Sequence, residues 1–309
     1  MALTGPLYGA SASALPPGFG PALPISVKQV AFDVSCGHLN AVTAGPEDGP
    51  ALLLLHGFPE FWYGWRKQIG PLAEAGFRVI VPDQRGYNLS SKPSEVRDYR
   101  LPELTADVIA IADRIGREKM FLAGHDWGAG VAWNTAMRHP GRIEKLAILN
   151  APHPAVMMRF LRTNPRQMLR SWYMLFFQIP RLPEFLVARD KGRGLLRSSR
   201  KGAFSPEDLD RYREAWSQPG ALTAMIDWYR ALLRERPDFA AAESRVSAPT
   251  RILWGMKDEF LMSAMARASL KYCDHGELIE FPEATHWIHH EEPERVNRLL
   301  IEFFQVHTG

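Results

Sequence analysis

Apolar residues fall along this chain in two alternating rhythms. Short, nearly unbroken apolar runs occupy residues 51–55, 77–81, 120–123, 146–149, 251–254 and 278–281. Runs of that length with few polar residues predict strands buried on both faces. Ahead of them, residues 27–34 and 39–42 read as an antiparallel pair. Helical spacing covers residues 65–75, 101–115, 129–138, 263–272 and 293–304. Pro102 and Pro293 suit the first turn of a helix, where a missing N–H costs nothing. Strand and helix in alternation predict an α/β fold, a mainly parallel sheet with helices on both faces.

One stretch departs from that alternation. Amphipathic patterns run through residues 166–178, 184–189, 206–216 and 221–234, with no strand pattern between Pro152 and Ala248. Arg181-Leu182-Pro183 and Gln218-Pro219-Gly220 punctuate them. The organisation expected is an N-terminal arm over residues 1–25, a core made of 26–152 and 247–309, and an inserted helical cap over 153–246. That cap carries 17 Lys and Arg against 10 Asp and Glu. Such a basic balance fits a solvated face, a partner surface or weak attraction for anionic lipid.

Composition narrows the picture further. A chain of 309 residues with 46% hydrophobic content can bury a sizeable core. Its formal charge of +3 gives no global reason to expect nucleic acid as a partner. Cys36 and Cys273 are too few for a disulfide framework, so a reducing, cytoplasmic setting is expected. The first 25 residues lack the basic start and apolar stretch of a signal peptide. No run approaches the ~20 apolar residues of a membrane span.

The chemistry concentrates at Gly124-His125-Asp126-Trp127-Gly128. It joins an apolar run to a small-residue helix start, the setting of a nucleophile elbow. Glycines flank the central residue because such a turn is cramped. A carboxylate at its apex can attack an sp3 carbon, and its own carbonyl then becomes the electrophile for water, which suits epoxides and alkyl halides. A base is expected after the last strand, where His286 stands in Ala284-Thr285-His286-Trp287. Its orienting acid is expected after the preceding strand, where Asp258 is favoured over Glu259. The loop after residues 51–55, His56-Gly57-Phe58-Pro59, can turn the Phe58 amide toward the pocket. With the Trp127 amide it makes an oxyanion hole. His289 and His290 fall at the start of the final helix and are expected to be solvated. Tyr173 and Tyr229 lie in amphipathic cap segments among aromatic neighbours, and on spacing alone read as core or rim aromatics or as proton donors.

Taken together, these residues resemble the α/β-hydrolase-fold epoxide hydrolases. The resemblance rests on His56-Gly57-Phe58-Pro59, Asp83-Gln84-Arg85-Gly86-Tyr87, Gly124-His125-Asp126-Trp127-Gly128, Asp227-Trp228-Tyr229-Arg230, Asp258 and His286-Trp287. It covers nearly everything from Val27 to Phe304 and implies an eight-stranded sheet with an inserted cap. By resemblance, Tyr173 and Tyr229 are the two cap tyrosines that polarise and protonate the epoxide oxygen. Asp126 is then the nucleophile, with Asp258 and His286 activating water. No N-terminal phosphatase domain fits in this length. The expected substrate is a small hydrophobic epoxide together with water, with no metal or organic cofactor, and the expected state is monomer or homodimer. Expected wall residues are Phe58, Trp127, Trp172, Phe176 and Trp228, and Trp62 and Trp65 either line the entrance or pack the first helix. The rival within the fold is a haloalkane or haloacid dehalogenase. Haloalkane dehalogenases also carry Trp after the nucleophile but often place a halide-binding Asn in the loop where Phe58 stands, and fluoroacetate-type dehalogenases typically carry an Arg where Trp127 stands. A non-enzymatic receptor of this fold is the outside alternative.

Overall fold

A computed structural model describes residues 26–234 and 245–305. The expected N-terminal arm and residues 235–244 of the cap lie outside the described residues. Eight strands form the centre: β1 (Lys28–Val34), β2 (Gly37–Ala44), β3 (Ala51–Leu55), β4 (Arg78–Pro82), β5 (Met120–His125), β6 (Ile143–Leu149), β7 (Thr250–Gly255) and β8 (Gly276–Phe281). They make one sheet in the order β1-β2-β4-β3-β5-β6-β7-β8. β1 and β2 pair antiparallel, as do β2 and β4. Every later pairing is parallel. Leu52, Leu53, Leu54 and Leu55 are wholly buried, as are Leu146, Ile148, Ile252 and Leu253. Each such side chain contributes ~1.5–3 kcal/mol by leaving water, which is why these strands read as nearly continuous apolar runs.

The helices of this layer are α1 (Arg66–Glu74), α2 (Leu101–Arg114) and α3 (Trp127–Arg138) before β6. Between β6 and β7 run α4 (Pro154–Thr163), α5 (Pro165–Arg170), α6 (Trp172–Phe176), α7 (Leu182–Asp190), α8 (Arg193–Ser198), α9 (Pro206–Ser217) and α10 (Ala221–Arg234). After β7 come α11 (Ala264–Ser269), α12 (Ile288–Glu291) and α13 (Pro293–Gln305). The expected single helix over 166–178 is split at Ser171 into α5 and α6. α4 and α8 were not expected; the first follows a Pro-rich turn and the second is only six residues long.

Named polar contacts hold the inserted helices against the sheet. Ser205 and Asp208 form a reciprocal capping box at the start of α9, and Asp208 also accepts from Arg66 of α1 at 2.7 Å. The Tyr212 hydroxyl donates to Glu60 at 2.7 Å, and Trp216 Nε1 donates to the Pro59 carbonyl at 2.6 Å. From α10, Trp228 Nε1 donates to the Arg85 carbonyl at 3.0 Å. These contacts fix α9 and α10 over the carboxyl ends of β3 and β4, which is where an open parallel sheet presents its crevice.

Candidate active site

β5 runs into a sharp turn at Asp126, whose φ of 52° lies in the left-handed region. The neighbouring glycines are there because backbone passes too close for a side chain. A Cβ on Gly128 would stand 2.2 Å from the Leu55 carbonyl, and one on Gly57 would stand 2.4 Å from Asp126 Cβ. That close approach lets the Phe58 N–H donate to Oδ1 of Asp126 at 2.9 Å. Trp127 opens α3 directly after Asp126, so its N–H has no partner within the helix.

His286 follows β8, and its Nε2 lies 3.4 Å from Oδ2 of Asp126. Its Nδ1 lies 2.7 Å from Oδ2 of Asp258. Asp258 is locked: Oδ1 accepts from the Phe260 and Leu261 N–H groups at 2.8 and 2.9 Å. Its Oδ2 also accepts from Asn150 Nδ2 at 2.7 Å. Burial disfavours the charged imidazole of His286, but the Asp258 charge and the two carboxylate hydrogen bonds outweigh it and raise the pKa to about 10. Burial likewise opposes ionisation of Asp126, yet the His286 hydrogen bond and charge and the Phe58 N–H hold its carboxyl below the ordinary value. The resting pair is therefore a carboxylate beside an imidazolium. The Asp126 side chain keeps 19% exposure where His286 keeps 3%, so the carboxylate is the more open of the two.

Asn150 had no role in the sequence reading. It ends β6 with a left-handed φ of 44°, and its Oδ1 accepts from the Gly255 N–H at 3.0 Å. One amide thus ties the ends of β6 and β7 together and aims Asp258. The signal was present in the sequence, since Asn tolerates that backbone region better than most residues.

Tyr173 on α6 and Tyr229 on α10 meet with ring centroids 5.8 Å apart. Tyr229 also packs edge-on against Trp127 at 5.0 Å and Phe58 at 5.2 Å. Burial, reinforced by the Asp126 charge, raises both phenol pKa values, so both hydroxyls stay protonated. Their helices are stapled by Arg230, which donates to the carbonyls of Phe177 and Ile179 at 3.0 Å each and pairs with Asp227 and Glu184. Gln178 adds a bond to the Tyr229 carbonyl at 3.1 Å. Arg170 reaches from α5 to the Asp258 carbonyl at 2.9 Å, joining α5 to the loop after β7.

Asp126, Tyr173 and Tyr229 line two cavities at once. The smaller, about 110 Å³, extends past Trp127, Met157, Met174, Leu232 and Leu261. The larger, about 800 Å³, extends past Phe58, Trp172, Phe176, Phe177, Phe260 and His286. Their linings are mostly apolar, and the three polar groups stand at the waist between them. Phe58, Trp127, Trp172 and Phe176 line these spaces, and Trp228 lines neither. It is wholly buried beneath α10, edge-on to Tyr87, because neighbouring helix residues point about 100° apart and Tyr229 takes the cavity side. Trp62 and Trp65 are buried in the core and line neither cavity.

His289 and His290 are also not where they were expected. Both are buried rather than solvated. His290 Nε2 lies 2.7 Å from Glu60 Oε1, and His289 Nε2 lies 3.4 Å from Glu60 Oε2. His125 joins this cluster, with Nδ1 3.3 Å from Glu60 Oε2 and Nε2 donating to the His286 carbonyl at 2.9 Å. Burial lowers the pKa of His289 and His290 and keeps both neutral. Glu60, His125 and His289 are the one group of metal-ligand type found among the described residues, with ligand atoms within 4.8 Å of one another. It stands behind the elbow, against the loop that carries His286.

Residues 50–293 match the α/β hydrolase fold family. The chain is 47% identical to the AB hydrolase superfamily protein YfhM of Bacillus subtilis (strain 168), across 86% of this chain and 94% of that protein. It is 38% identical to epoxide hydrolase 4 of Mus musculus, across 86% of this chain and 76% of that protein. Among solved structures, a Bacillus megaterium epoxide hydrolase bound to an inhibitor superposes with a TM-score of 0.79 at 31% identity, over 89% of this chain and all of that one.

Proposed function

The chain belongs to the α/β-hydrolase-fold epoxide hydrolases, and from that premise we propose that it converts hydrophobic epoxides to vicinal diols through a covalent ester on Asp126. In this reading residues 153–246 form a cap over a core made of 26–152 and 247–309. The observation that carries it is the convergence of Asp126, Tyr173 and Tyr229 on one apolar waist. A carboxylate faces two neutral phenols there, which is the arrangement a three-membered ether needs for attack on carbon and proton delivery to oxygen.

Oδ2 of Asp126 attacks an epoxide carbon while the phenols of Tyr173 and Tyr229 hydrogen-bond the oxygen. The carbon–oxygen bond breaks, and the oxygen takes a proton from a phenol. Esterification removes the Asp126 charge that had held the proton on His286. The imidazolium then gives up its proton, through water, to the phenolate left by ring opening, which restores the phenol and makes His286 the neutral base that the next step requires. Water held by His286 loses a proton to Nε2 and attacks Cγ of Asp126. Negative charge develops on Oδ1, against the Phe58 and Trp127 amides. Collapse expels the alkoxide, which takes the proton from His286 and leaves as the diol, and the Asp126 carboxyl then passes its remaining proton to His286, restoring the resting pair.

Two phenols favour an epoxide over an alkyl halide, since a departing halide needs no proton. Turnover compared on a panel of hydrophobic epoxides and a panel of alkyl halides tests the assignment. Diol formation should dominate, and halide release outpacing it would return the chain to the dehalogenases.

A further inference from the structure

Large apolar side chains are exposed on one part of this molecule far more than elsewhere. Among the described residues, most of them lie between residues 168 and 196, on α5 to α8. They include Leu169 at 74% exposure, Leu175 at 70%, Trp172 at 62% and Phe185 at 58%. These helices already bury an inner face through Gln167, Met174, Phe177 and Leu195. The exposed set is a second, outward face. Soluble surfaces seldom gather so many such groups without an occupant.

Two further observations say what covers it. Leu169, Trp172 and Leu186 are exposed and also line the 800 Å³ cavity, so the apolar face reaches the cavity mouth. Basic residues lie on the same helices and directly ahead of them, from Arg162 near the end of α4 to Arg193 at the start of α8. Arg162, Arg166, Arg181, Arg189 and Arg193 are exposed and form no ion pair among the described residues. Arg170 and Arg197 stand at the mouth itself. An aliphatic and aromatic face carried by helices that also expose arginines matches the bilayer interface, where apolar groups enter the acyl boundary and guanidinium groups stay among headgroups.

We propose that α5 to α8 dock on a membrane leaflet containing anionic lipid, with the cavity mouth turned toward the acyl chains. A second copy of the chain is a poorer occupant, because a twofold contact would set one arginine-bearing face against another. Nucleic acid offers phosphates but no partner for Leu175 and Phe185. The docking stands apart from the reading of the active site; one consequence rests on that reading, namely that the substrates are epoxides dissolved in the bilayer.

Vesicle co-sedimentation of the full chain tests the docking without any turnover. Vesicles of phosphatidylcholine with phosphatidylglycerol should bind it at low salt, and pure phosphatidylcholine should bind it far less. Leu175→Ser with Phe185→Ser should weaken binding about tenfold or more. Arg166→Gln with Arg193→Gln should weaken it roughly tenfold or more and flatten the salt dependence. None of these four residues lines either cavity, so hydrolysis of a water-soluble epoxide should be unchanged in both variants and reports their folding. Absence of binding to anionic vesicles, equal binding to neutral ones, or self-association abolished by the same substitutions would each overturn the proposal. Vesicle binding by a chain that turns over no epoxide would uphold the docking and defeat the functional reading instead.

Discussion

The backbone N–H of Phe58 donates to Oδ1 of Asp126 across 2.9 Å, before any ester exists. The donor proposed for the oxyanion therefore already sits on the oxygen that would carry the charge. Oδ2 is left toward His286, free of that bond, as the attacking atom. A hole set in advance costs no reorganisation when charge develops. The glycine at position 57 makes this possible, since any Cβ there would displace Asp126.

Removing one phenol tests the proton donors. Tyr229→Phe or Tyr173→Phe should slow ring opening by roughly tenfold to a thousandfold, at ~1.4 kcal/mol per decade. Single-turnover quench kinetics on an epoxide would read it. Unchanged rates in both variants would make the pair a packing contact, as the 5.8 Å ring separation alone allows.

Loss of the base should separate the two half-reactions. His286→Gln should still be alkylated but should not release diol. Mass spectrometry should then find the substrate mass added to the peptide containing Asp126. An unmodified peptide, with substrate shown to be consumed, would assign water activation to another group.

Asn150 should behave as a positioning residue. Asn150→Ala leaves the buried Gly255 N–H without its acceptor and removes one donor from Asp258. The stability cost should be about 1–3 kcal/mol by denaturant titration. Its specific mark should be slower ester hydrolysis relative to alkylation, because Asp258 then aims His286 less firmly. Equal slowing of both steps would reduce Asn150 to a fold-stabilising tie.

The His286 proton should also appear in stability. Its folded pKa stands at about 10 against an ordinary 6.5. Such a group adds stability that is complete below 6.5 and is lost as pH rises through the folded value. Wild type should therefore lose Tm more steeply than His286→Gln as pH climbs from 6.5 toward 10. Parallel declines in the two proteins would contradict an imidazolium at rest.

The strands and the elbow were readable because their signals are local. β3 is five apolar residues bounded by turn residues, and the Gly124 to Gly128 motif announces its own strain. Features that depend on distant partners were not readable. His290 looks solvated beside charged neighbours, but Glu60, far away in sequence, enters its site and pairs with it at 2.7 Å. Arg230 shows in sequence only as a charged helix residue; its staple of two carbonyls exists once α6 and α10 meet. Trp228 was misplaced because adjacent helix positions point about 100° apart, and on α10 the cavity side falls to Tyr229. The docking face was half visible, in the basic excess of 153–246, while the apolar part became apparent only when α5 to α8 were seen to bury their other side.

Oxygen-18 water in a single turnover addresses the covalent ester most directly. With enzyme in excess, the account predicts label in the Asp126 carboxylate and a first diol unlabelled at its new hydroxyl. Label found in that first diol, with none in Asp126, would mean that water attacks the epoxide directly and would contradict the mechanism.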